Sequence, residues 1–221
     1  MRHPARRRPE SPTEGGFTLV ELLVAMAIFT IFGTVVVRIS ESFMSTSVNA
    51  QQRMDNIGNA QGIMDRLTSE IRAAVSCACG GSTASPIASA DANDITFYAN
   101  LGGSTGPTEV QFTLSGTTLK EVDTPADSGG TAPNWTFTGS PKTTTVSTEV
   151  VNDATNPLFT YFDQSGTQIT TTPLNPGSSP SSTAIESVGI NLAVQGTIAG
   201  SSVSLADRVH LLNVDYTSGS S

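Results

Sequence analysis

The hydrophobic pattern divides the chain into three stretches. The first is an apolar run over residues 17–37 (FTLVELLVAMAIFTIFGTVVV), 21 residues with one charge, Glu21. As a helix rising about 1.5 Å per residue it would cover ~32 Å, enough for the hydrocarbon core of a bilayer. Arg38 ends it. The second stretch, residues 40–75, has no proline and keeps a helical period. Phe43, Ala50, Ile57, Met64 and Ile71 recur every seven residues, and Ala60, Leu67 and Ala74 fall three after the last three of these. That stripe suits packing against a sheet. It is a poor coiled-coil seam, because its earlier d-type positions are Thr46 and Arg53. Arg66 and Glu70 lie off the stripe at i,i+4 spacing, where they can pair. The pattern predicts one helix from residue 17 to about 75, lipid-suited in its first half and amphipathic in its second.

After residue 82 the period changes. Residues 94–99 (DITFYA) alternate, and residues 109–114 (EVQFTL) put Val110, Phe112 and Leu114 on one face. Ser115-Gly116 then turns the chain into residues 117–122, a hairpin signal. Residues 135–138, 146–151 and 158–163 are further strand candidates. Two longer runs, 184–198 and 203–214, close the chain as a hairpin turning near Gly200-Ser201-Ser202. Residues 123–134, 139–145 and 172–183 are rich in Thr, Ser, Gly and Pro and read as loops. The class is α+β: one long helix packed on an antiparallel sheet with long loops.

Charge sharpens this picture. The 221 residues carry 11 Lys+Arg and 19 Asp+Glu, net −8. Four of the arginines, Arg2, Arg6, Arg7 and Arg8, lie in the first eight positions. After Gly16 the remainder has 7 basic and 17 acidic residues, net −10. Basic residues before an apolar span hold that end in the cytoplasm and send the rest outward. An acidic head, with only Lys120 and Lys142 between Arg72 and Arg208, argues against nucleic-acid binding. Ser and Thr make up 57 residues, which fits a solvated exported surface. An ordinary secretory signal has a shorter apolar region with small residues after it. Here the run is long and Gly15-Gly16 precedes it. A twin-Arg signal is no better, since Arg7-Arg8 sits far from the apolar run and is followed by Pro9. A plain single-span anchor fits the length but leaves Glu21 unexplained, since a carboxylate in a bilayer costs about 2.5–3.5 kcal/mol on insertion scales.

The segment Gly15-Gly16-Phe17-Thr18-Leu19-Val20-Glu21-Leu22-Leu23-Val24 resembles the N-terminus of type IV prepilins and pseudopilins. The resemblance implies a leader of residues 1–16, cut by a prepilin peptidase between Gly16 and Phe17, with N-methylation of Phe17. Residues 17–38 would be a transmembrane and assembly helix, 39–76 its amphipathic continuation, and 77–221 a β-rich exported head with a pilin-like fold. Glu21 would be the fifth residue of the mature chain, on the same helix face as Phe17. Its carboxylate could meet the ammonium of a neighbouring subunit, offsetting much of the burial cost and setting register. The implied partners are the peptidase, sibling pilin subunits, an inner-membrane assembly platform and, before assembly, the lipid bilayer. The implied location is the cytoplasmic membrane with the head outside, then a pilus or pseudopilus. Many pilins carry a proline near the place of Arg38; this chain has none between Pro12 and Pro86, and Gly33, Gly58 and Gly62 are its softer spots. Looser resemblances at residues 67–72, 158–163 and 209–213 tilt the reading toward a minor subunit that initiates or caps a type IV pilus or a secretion pseudopilus.

The head offers little for catalysis, metal or cofactor. His3 lies in the leader, and His210 is alone in a final strand without a G-x-S-x-G elbow. Asp123, Asp127, Asp153 and Asp163 are scattered over loops, and Asp163-Gln164-Ser165-Gly166 is a short turn, not a calcium loop. Cys77 and Cys79, followed by Gly80-Gly81, lack the further ligands of a zinc site. A tight disulfide between them or a bridge to another subunit are both open. Two readings compete with the assembly subunit: a tip adhesin or ligand-binding module, and a membrane-tethered hydrolase.

Overall fold

The computed structural model describes residues 16, 18–77, 79, 85–102, 106–130, 134–196 and 202–211. Residues 1–15, Phe17, Gly80-Gly81, the expected turn near Gly200 and the end of the last expected run lie outside these. The chain forms two compact units, Met1–Asn49 and Ala50–Ser221.

One helix, α1, runs Leu19–Arg72. In the first unit every described residue is exposed. In the second, Ala60, Ile63, Met64, Leu67 and Ile71 are buried, together with Asn56 and Thr68. The expected stripe is therefore used only from Ala60 on: Phe43 and Ala50 are exposed and Ile57 is half-buried. The helix stops short of Gly80-Gly81. It ends at Arg72 because the next backbone groups go to a strand: Val75 N–H donates to the Tyr98 carbonyl (2.7 Å) and Asn100 N–H to that of Ala73 (3.0 Å).

The β residues build two antiparallel sheets, not one. The first contains β1 (Ile87–Ala90), β2 (Asp94–Ala99), β3 (Thr108–Ser115), β4 (Thr118–Pro125) and β5 (Lys142–Ser147), each hydrogen-bonded to the next in chain order. The second contains β6 (Phe159–Phe162), β7 (Gln168–Ile169), β8 (Ser187–Gln195) and β9 (Ser202–His210) in the order β7-β6-β8-β9. The β3–β4 hairpin closes through Gly116-Thr117, with Ser115 facing Thr118. Gly116 has φ 61°, a left-handed value that a side chain would resist.

The core is one cluster shared by the helix and both sheets: Leu67 and Ile71 from α1, Phe97 and Phe112 from the first sheet, Phe159, Tyr161 and Ile190 from the second. The three loosely family-like segments supply parts of it. Leu67, Ile71, Leu158, Phe159, Tyr161, Val209 and Leu211 are all buried, which makes those segments packing elements; Asn213 lies outside the described residues. The seam between the sheets is polar but satisfied. The Tyr161 hydroxyl donates to the Asp91 carbonyl (2.7 Å), Leu158 N–H to Asn93 Oδ1 (3.1 Å) and Ser182 Oγ to the Ile87 carbonyl (2.9 Å).

Some strand expectations fail for local reasons. Residues 135–138 are not a strand, because Asp127 takes their donors: Thr136 Oγ1 reaches its carboxylate at 2.5 Å and Thr138 N–H at 3.1 Å. The expected strand at 146–151 is displaced to Lys142–Ser147, on a stretch read as loop. Its Thr residues are β-branched and favour extended backbone, and β4, running on to Pro125, offers them an edge, with Asp123 opposite Lys142. Val150 forms an isolated bridge with Val194 and donates its N–H to the Thr117 carbonyl (3.0 Å). The expected final hairpin runs are shorter, at Ser187–Gln195 and Ser202–His210. Strands β1 and β7 are too short and too weakly alternating to read from sequence.

Candidate functional site

The apolar helix begins on a cap. Thr18 precedes the first helical residue, and its carbonyl accepts from Leu22 N–H (3.2 Å). Its hydroxyl oxygen accepts from Glu21 N–H at 3.3 Å and approaches Glu21 Oε2 at 3.5 Å. A Thr followed three places on by Glu is the spacing of a capping box. Glu21 also sits in the first turn, where a negative charge suits the helix dipole. The T-x-x-E spacing was readable in the sequence and is the signal missed there. Gly16 is exposed; Phe17, the other half of the expected cleavage point, lies outside the described residues.

Beyond the cap, the unit presents apolar surface all round: Leu19, Leu22, Leu23, Met26, Phe29, Ile31 and Phe32 are exposed, Phe29 by 80%. This is the one helix among the described residues long and apolar enough to cross a membrane. Its hydroxyls are matched to such a medium. Thr30 Oγ1 donates to the Ala27 carbonyl (2.8 Å), Thr34 Oγ1 to that of Ile31 (2.8 Å) and Ser40 Oγ to that of Val36 (3.0 Å). Each polar side chain is satisfied inside its own helix, as lipid requires. Glu21 is different: among the described residues its carboxylate is met by the Thr18 hydroxyl, and that contact is long, 3.5 Å.

The head gathers the other candidates differently. Cys77 and Cys79 meet as a disulfide with Cα atoms 5.1 Å apart. Both are buried beside Tyr98, with Val75, Trp135 and Phe137 packed around them, a setting of packing rather than of metal ligation. His210 is exposed on β9, its Nε2 3.2 Å from Glu186 Oε1. Asp127, Asp153 and Asp163 each organise a loop. Hydrogen bonds from Thr136 and Thr138, from Thr155 and Asn156, and from Ser165 and Thr167 hold their carboxyls below the usual range.

Asp123 belongs to a group the sequence did not bring together. Arg66 on α1 forms a two-pronged pair with Glu121 on β4, Nη2 to Oε1 at 2.6 Å, and also reaches Glu70 at 3.3 Å. Carboxylate oxygens of Glu70, Glu121 and Asp123 lie within 4.8 Å of one another. The expected Arg66–Glu70 pair is thus present but secondary. Burial, then the Glu121 charge, pushes Glu70 up to about 7, with Arg66 opposing. Burial and Glu121 also raise Asp123.

Comparison with known proteins bears on the first unit. Residues 12–37 match a family model described as the prokaryotic N-terminal methylation motif. The match takes in the end of the basic leader, the Gly16-Phe17 pair, Glu21 and the apolar run. No curated protein matches the chain.

Proposed function

We propose that this chain, whose N-terminus carries the methylation motif of type IV prepilins and pseudopilins, is a minor subunit that helps initiate or cap a type IV pilus or a secretion-type pseudopilus. The observation that carries the reading is the motif at residues 12–37, whose part from Leu19 on is a helix with apolar side chains that have no cover within their own unit. Prepilin peptidase removes residues 1–16 and Phe17 is N-methylated. The helix waits in the cytoplasmic membrane with the head outside, then leaves the lipid for a bundle of sibling helices on an assembly platform. Glu21 is the residue that makes this selective. Its carboxylate, met among the described residues by the Thr18 hydroxyl, pairs with the Phe17 ammonium of a neighbour, an attraction strengthened by low dielectric. The role is structural, in keeping with a family of filament subunits that is generally non-enzymatic.

Two measurements test this. Mass spectrometry of the mature protein is expected to give N-methyl-Phe17; a chain beginning at Met1 or cut elsewhere overturns the processing. Glu21→Ala is expected to reduce filament incorporation by at least tenfold while leaving membrane insertion intact. Incorporation at the wild-type level removes Glu21 from the mechanism.

A further inference from the structure

The contact between α1 and β4 carries an unbalanced set of charges. Facing one another are Arg66 and Glu70 from the helix, Glu121 and Asp123 from β4, and Lys142, opposite Asp123 on β5. The Arg66 fork is committed to Glu121, whose side chain is 2% exposed. Lys142 is exposed, so it compensates weakly. Two buried oxygens, Glu70 Oε2 and Asp123 Oδ1, have no hydrogen-bond partner among the described residues. Three ionised carboxylates around one guanidinium would leave net negative charge in a partly dry contact, and like charges this close disfavour joint ionisation. A proton on one carboxyl removes the excess charge and gives an orphaned oxygen a donor.

We propose that this helix–sheet contact is a proton-loaded clamp, closed most firmly when Glu70 or Asp123 holds a proton and loosened when the proton leaves. The direction of the effect follows from linkage. Burial beside Glu121 raises Glu70 from its ordinary 4.5 to about 7, so the folded chain binds the proton more tightly than the unfolded chain. The associated stability is complete below the lower value, is lost as pH rises toward the upper one, and changes no further beyond it. Asp123, raised in the same direction, adds to the loss. Glu109 is also raised by burial, but it lies outside this contact and is unaffected by changes at Glu70. On the outward side of a membrane, where the medium varies in acidity, such a clamp would couple the seating of residues 60–72 to external pH.

Urea unfolding of the full chain in detergent micelles, read by Trp135 fluorescence at pH 5.5 and pH 8, tests the clamp. The wild-type folding constant is expected to fall on the order of tenfold to a hundredfold between the two conditions. Glu70→Gln is a neutral isostere. It should match the wild type at pH 5.5 and exceed it at pH 8, with a smaller loss between them. Asp123→Asn should also reduce the loss, and it decides the matter if Glu70→Gln does not fold. A third reading needs no variant: amide hydrogen exchange across residues 66–72, corrected for the intrinsic pH dependence, should quicken in the wild type at pH 8. Equal losses in wild type and variants, or unchanged protection of residues 66–72, would overturn the proposal.

Discussion

The two halves of α1 share one backbone and differ in everything around it. Leu23 and Phe29 are exposed; Leu67 and Ile71, on the same helix, are buried among strands of both sheets. Their polar groups differ in the same way. Glu121, buried in the head, has an intrachain guanidinium on it, while Glu21 in the apolar run has, among the described residues, the Thr18 cap. A buried carboxylate persists when a partner is supplied. The head supplies its own; under the proposed function, a neighbouring subunit would supply that of the apolar half. The comparison therefore separates residues that fold this chain from residues that, under the proposed function, join it to others.

The largest effects should fall on the buried half. Leu67→Ala removes a fully buried side chain and is expected to cost about 2–5 kcal/mol. Leu23→Ala, on the exposed half, should leave head unfolding within ~0.5 kcal/mol of wild type. Denaturant titration of the full chain in micelles, with the single Trp135 as reporter, measures both. If Leu23→Ala destabilised the head as Leu67→Ala does, the division into a folding half and a joining half would be wrong.

What could be read in advance follows the same division. The apolar run, Glu21 and the leader charges are contiguous, so their pattern was legible residue by residue. The helix was expected at 17 to about 75 and is observed at Leu19–Arg72. Strands with clear alternation, such as Asp94–Ala99, were legible for the same reason. The clamp was not, because Arg66 and Glu121 are 55 residues apart and meet only through the packing of α1 on β4. Composition misled where Thr-rich segments were read as loops: residues 142–145 have side chains suited to a strand and needed only the neighbouring edge. The reverse error at residues 135–138 came from a single side chain, Asp127, whose capture of the backbone is invisible in a hydrophobic pattern. The separation into two sheets likewise depends on the packed Asp91–Asn93 turn and on Tyr161.

The smallest predicted effects test whether polar side chains follow the same division. The Tyr161 hydroxyl is buried and donates across the seam to the Asp91 carbonyl, and burial pushes its phenol well above the ordinary value. Tyr161→Phe leaves that carbonyl short of a donor and should cost about 1 kcal/mol in the same titration. Thr34 donates only to carbonyls one turn back in its own helix, and those already accept helical bonds. Thr34→Val should therefore leave head unfolding unchanged, to within ~0.5 kcal/mol, and membrane insertion intact. Filament incorporation is the sharper readout. At the wild-type level it means the hydroxyl serves its own helix, and the joining surface relies on apolar packing and Glu21. A severe loss would mean that Thr34 redirects its donor to a neighbouring helix, and the joining half would then possess polar contacts beyond Glu21.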